Sequence, residues 1–181
     1  MQIPISKPLQ FGYNLIAMLA LAWIFLTLPA VLPASDHQVV LCLENQKQLS
    51  SGALHSFRDA LAQLGPLVGA TITFRCEDLR PPFVIVTLRQ EPRLTQPDNA
   101  LAAMRTEDGR VLPRMELYLK PIHSLLPARL EVLEGRALAW VAGHELLHFL
   151  SQRQHHDHRG WFAAELNTAM LLMPPSAYRQ K

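Results

Sequence analysis

From Glu131 to Gln152 the chain runs as EVLEGRALAWVAGHELLHFLSQ, with no proline to interrupt it. Leu133, Ala137, Trp140, Val141, Leu147 and Leu150 recur at helical spacing, which predicts one long helix with a broad apolar face. Within AWVAGHELLHFL the ionisable groups are His144, Glu145 and His148 alone. A helix this apolar is buried, so the rest of the fold has to be built around it. Burying two imidazoles and a carboxylate without partners is costly, which demands something that satisfies them.

The spacing states what that is. Residues four apart lie on one helical face, so His144 and His148 aim both imidazoles at one point. Glu145 lies about 100° round from His144, near enough to reach a group at that point without joining the ligands. This is H-E-x-x-H, two zinc ligands followed by a general base. In such sites the carboxylate accepts a proton from the water that attacks a carbonyl. A catalytic zinc site takes a third protein ligand and leaves a fourth position open. Ser151 to Gln154 form a polar exit from the helix, and His155, His156, Asp157, His158 and Glu165 follow as candidates for that ligand.

Ahead of the helix, Gln38–Leu43 reads as a strand. Ser50 and Ser51 are placed to cap a helix carrying Leu54, Phe57, Leu61 and Leu64, which Gly65 and Pro66 end. Ala70–Phe74 and Phe83–Leu88 are strand-like runs on either side of Pro81 and Pro82. Leu101–Met104 and Val111–Leu119 flank TEDG, where Asp108-Gly109 signals a hairpin turn. Pro121 and Pro127 punctuate the next connection, and Trp161–Met173 reads as a last helix stopped by Pro174-Pro175. The expected class is α+β: a small, mostly antiparallel sheet packed with the long helix and a C-terminal helix.

Before all of this, Leu15–Leu32 is an uncharged apolar run of the length that spans a bilayer. It is long for the core of a cleavable signal, and Leu28 and Leu32 stand where a cleavage site wants small residues, so an uncleaved anchor fits better than a signal peptide. Either reading divides the 181 residues into an N-terminal segment, 1–35, and one domain, 36–181, delivered outside the cytoplasm. Cys42 and Cys76 are the two cysteines of the chain. In an exported protein an even count flanking two apolar runs predicts a disulfide between neighbouring strands. The formal charge of +2 and the scattered arginines give no basic block interleaved with aromatics, so nucleic-acid binding has no support.

On HELLH and the residues after it, the sequence resembles the zincin metallopeptidases, metzincin-like in having a histidine shortly after the motif. The usual metzincin pattern, HExxHxxGxxH, is not met, because Ser151 stands at the glycine and Gln154 at the third histidine. Small exported bacterial zincin-like proteins are more similar, with seven residues, a histidine, three residues, a glycine and an apolar pair after the motif. That register implies His156 as third ligand, followed by Gly160, Trp161 and Phe162, with His155 and His158 as alternatives. A gluzincin arrangement would use Glu165 instead. Metzincins have a methionine turn beneath the metal. Here Trp161 and Phe162 hold that stretch, and the nearest methionines are Met170 and Met173. The resemblance further implies an edge strand beside the cleft at Met115–Leu119, pairing with an extended substrate. A cation near the metal would stabilise the oxyanion, a role open to His158, while Arg159 reads as part of a solvated loop. The function expected is zinc-dependent hydrolysis of peptide bonds in a peptide or protein substrate, with Glu145 as base. The alternatives are a non-catalytic zinc-binding interaction domain and a metal-free membrane scaffold. His37, His55 and His123 are isolated and read as surface or capping residues.

Overall fold

A computed structural model describes residues 37–77, 81–127, 130–156 and 166–177. The apolar run Leu15–Leu32 lies outside the described residues. Among the described residues no helix is long and apolar enough to cross a membrane. The elements run in the order β1 (His37–Glu44), α1 (Ser51–Leu64), β2 (Ala70–Phe74), β3 (Phe83–Arg89), β4 (Ala102–Glu107), β5 (Arg110–Tyr118), α2 (Leu119–Leu125), α3 (Glu131–Ser151) and α4 (Thr168–Leu172).

The class is α+β, but the sheet is mostly parallel, which corrects the antiparallel expectation. Its order is β2-β1-β3-β5-β4, with β4 on one edge. β1 runs parallel to both β2 and β3, β3 runs parallel to β5, and only the β4–β5 hairpin is antiparallel. The reason lies in the connections. α1 carries the chain from β1 back to the start of β2, the crossover that parallel strands require. β3 then fills the other side of β1. The long excursion from Gln90 to Leu101, followed by β4, brings β5 back parallel to β3. Val39–Leu43 are buried without a break, as in a strand covered on both faces.

Local chemistry sets the element ends. Ser50 caps α1, its hydroxyl accepting from the Ala53 N–H at 3.1 Å. The β4–β5 turn places Asp108 at φ 48° and Gly109 at φ 76°, the pair of left-handed residues that a two-residue hairpin of type I′ uses. Cys42 of β1 is disulfide-bonded to Cys76 just beyond β2, as the cysteine count predicts. Two expectations are corrected. Leu119 does not extend β5 but begins α2, whose Pro121 sits in the first turn, where an amide hydrogen is not needed. In the C-terminal region the described helix starts only at Thr168, because the Asn167 side chain accepts from the Met170 N–H at 3.0 Å and caps it there. Residues 161–165 lie outside the described residues.

α3 is the axis of the core. Its residues from Ala137 to His144 are buried on every side. α1 crosses it at Gly135, where a Cβ would come within 2.6 Å of the Phe57 nitrogen and the Ser56 Cβ. The Ser56 hydroxyl donates to the Val132 carbonyl at 2.9 Å alongside. On another face Trp140 Nε1 donates to the Met173 carbonyl at 2.7 Å, and Arg136 donates to the Leu172 carbonyl at 2.9 Å. The helix bearing HELLH is therefore held by α1 and by the end of α4 before any question of a ligand arises.

Candidate metal centre

His144 and His148 occupy the C-terminal half of α3, both buried, with ring centroids 4.8 Å apart. α3 ends at Gln152, whose left-handed conformation (φ 54°, ψ 25°) turns the chain back. Four residues later His156 reaches the same point. His148 Nε2 lies 3.1 Å from His144 Nε2 and 3.3 Å from His156 Nε2. The rings of His144 and His156 are stacked, 5.2 Å between centroids, and that of His148 stands nearly at right angles to His156.

These contacts fit a metal ion. Two nitrogens bound tetrahedrally at about 2.05 Å from one ion sit about 3.3 Å apart. Among the described residues His144, His148 and His156 form the group of ligand atoms close enough to hold an ion, all within 4.8 Å of one another. The tautomer of His148 agrees. Its Nδ1 lies 2.7 Å from the Arg153 carbonyl, and a carbonyl only accepts, so Nδ1 carries the hydrogen and Nε2 presents a lone pair. A backbone acceptor on the far nitrogen is the usual way a metal-binding histidine is oriented. Burial pushes the His148 imidazolium below its ordinary value. The Arg153 carbonyl works against that and the nearby His156 adds to it. The neutral form, the one that binds metal, is thereby favoured.

Glu145 retains some accessible surface but is densely surrounded, and burial pushes its carboxyl up to about 7. A hydrogen bond from the Met104 backbone opposes this. Met104 belongs to β4, so the glutamate after the first histidine touches the sheet edge. The edge belongs to β4, which corrects the assignment of that role to Met115–Leu119. That segment is covered by β3 on one side and β4 on the other. Tyr118 N–H donates to the Leu101 carbonyl at 2.9 Å. Along β4 the backbone groups of Leu101 and Ala103 therefore face β5, and those of Ala102 and Met104 face outward.

A cleft of about 750 Å³ opens at this place, with His144, Glu145 and His156 on one side. Val141, Leu125 and Leu166 add apolar surface, and residues 96–102 form the opposite wall. That wall is anchored to β5 and α2. Arg93 Nε donates to both carboxylate oxygens of Glu116 at 2.9 and 2.8 Å, and Lys120 pairs with Glu91 at 2.6 Å. Tyr118 also donates to Glu116, at 3.2 Å, and burial of the phenol raises it to about 12. Neither the wall nor the Met104 contact was visible in the sequence. The strand at Leu101–Met104 was, and its place at the edge depends on which strand fills the slot beside β3.

The other candidates divide in two. His155 is exposed and stays out of the histidine group. Asp157, His158, Arg159, Gly160, Trp161, Phe162 and Glu165 lie outside the described residues. His123 is not a surface residue. Its Nε2 pairs with Glu134 at 2.7 Å, both side chains largely buried, and joins α2 to α3. His55 pairs with Asp59 on the exposed face of α1. Comparison with protein-family models, with curated proteins and with solved structures finds no match.

Proposed function

We propose that the chain is a zinc-dependent peptidase of zincin type, with His144, His148 and His156 as metal ligands and Glu145 as the general base. The observation that carries this reading is the convergence of three imidazole nitrogens, those of His144 and His156 on histidines that line a cleft, beside a densely surrounded carboxylate. Three histidine ligands at the edge of a cleft are the donor set of a catalytic site rather than of a closed structural one. When bound, the ion supplies Lewis acidity, activating a water and polarising the carbonyl under attack.

The chain's own residues supply the rest. A substrate segment lies extended along β4, where the outward backbone groups of Ala102 and the Met104 carbonyl pair with it as a sheet edge pairs with a strand, the Met104 N–H being held by Glu145. This sets the scissile carbonyl over the histidine group. Glu145 takes the proton of the attacking water on its carboxylate and passes it to the departing nitrogen. Burial, partly opposed by the Met104 hydrogen bond, pushes its carboxyl up to about 7, and a bound cation beside it would draw it lower and favour the ionised form that accepts a proton. The Cys42–Cys76 disulfide supports an oxidising compartment, and Leu15–Leu32 supports delivery across or into the membrane.

The test is Glu145→Gln. The variant retains zinc, because the ligands are untouched, and loses hydrolysis of a peptide library by at least about 100-fold. Cleavage at the wild-type rate by a zinc-loaded Glu145→Gln protein excludes Glu145 as the base.

A further inference from the structure

We propose that Gln152 is a positioning residue of the metal centre, clamping the helix exit to β5 so that His148 and His156 meet the ion together. The inference rests on the metal-centre reading. If α3 continued as a helix, His156, eight residues after His148, would lie about 12 Å from it along the axis. His156 returns instead, and the reversal is made at Gln152, a non-glycine residue in the left-handed region at φ 54°. For a residue with a Cβ that conformation is disfavoured, so the position needs a reason to keep a side chain.

The side chain supplies one. Its Oε1 accepts from the Val111 N–H at 3.1 Å, and its Nε2 donates to the Val111 carbonyl at 3.2 Å and to the Phe149 carbonyl at 2.8 Å. The amide thus pairs with both backbone groups of one residue, as a neighbouring strand would. It does so at the one stretch where β5 has lost its neighbour, since the pairing of β5 with β3 begins only at Arg114. The turn is bolted to the same hairpin whose Met104 touches Glu145. Immediately after the clamp Arg153 offers its carbonyl to His148 Nδ1, and three residues further His156 arrives. A glycine would make the turn. Only a side chain of this length and chemistry also fixes where the turn sits relative to β4 and β5.

The test uses Gln152→Gly, which keeps the turn and removes the amide, and Gln152→Asn, which keeps an amide too short to reach Val111. Zinc affinity of the full-length chain is measured by chelator competition and the ligand field by the cobalt(II) spectrum. The thermal midpoint of the metal-free protein serves as the folding control. The proposal expects near-wild-type midpoints, an altered cobalt spectrum and zinc affinity lower by about 10–100-fold. In a His156→Ala background the same changes cost about threefold or less, because the ligand they place is gone. Affinity within about twofold of wild type, or equal losses in both backgrounds, overturns it. So does unfolding of both metal-free variants, which assigns Gln152 to the fold instead. A wild-type chain that takes up neither zinc nor cobalt removes the metal-centre reading itself, a result distinct from all of these.

Discussion

His148 shows how much of this centre is set by single atoms. Its Nδ1 is committed to a carbonyl and its Nε2 presents a lone pair toward His144 and His156, so the backbone at Arg153 decides the chemistry of a side chain five residues earlier. Glu116 plays a comparable part on the far wall of the cleft. Burial pushes its carboxyl up, but the hydrogen bonds and charge of Arg93, with Tyr118 and Arg89, outweigh burial and hold it below the ordinary carboxylate value. The folded-state value is depressed, so the stabilisation is present above the ordinary value and is lost as the pH falls through the folded one. Glu116→Gln should therefore melt below wild type at neutral pH, and the gap should close as the pH falls below the ordinary carboxylate value of about 4.3. A gap that stays constant over that range would mean the Arg93–Glu116 pair is not what anchors the wall. Residue-scale chemistry was readable in part: HELLH announced itself by spacing, and Gln152 did not, because nothing in a glutamine predicts a left-handed turn. His155 and His156 are adjacent and chemically identical, so the choice between them needed the geometry of the turn or a resemblance.

The decisive element is α3, whose position is dictated by a helix crossing. Alanine is the better helix former, so Gly135→Ala should gain about 1 kcal/mol from propensity. The new methyl group, however, would press on the α1 backbone at Phe57 and on Ser56. Overpacking of this kind costs about 1–3 kcal/mol, and here the obstacle is mostly backbone, so the crossing should win. Urea unfolding of Gly135→Ala should show net destabilisation, and an increase in stability would contradict the packing described. The length of α3 and the capping of α1 were legible because helical periodicity and cap residues are local signals. Strand direction was not, because it depends on how the chain returns between strands. A clue did exist in VVLCL, whose unbroken apolar run marks a strand covered on both faces, as in a parallel sheet. α2 was hidden by Pro121, which reads as a break until it is seen in a first turn.

At the scale of the molecule, α3 and the segment that runs into β4 form two sides of one cleft, and each supplies what the other lacks. α3 brings His144, His148 and Glu145, and the turn after it brings His156. The sheet brings an edge, β4, whose Met104 lies against that carboxylate. The hairpin also reaches past β3 to hold the helix exit through Gln152. Ion binding should thus report on the whole arrangement at once. The most direct measurement is zinc content by elemental analysis of the purified full-length chain beside His144→Ala. A metal centre at these histidines predicts about one zinc per wild-type chain, surviving dialysis, and loss of that zinc in the variant. A wild-type protein that stays metal-free in zinc-containing buffer, or a His144→Ala protein that holds zinc equally well, would contradict it.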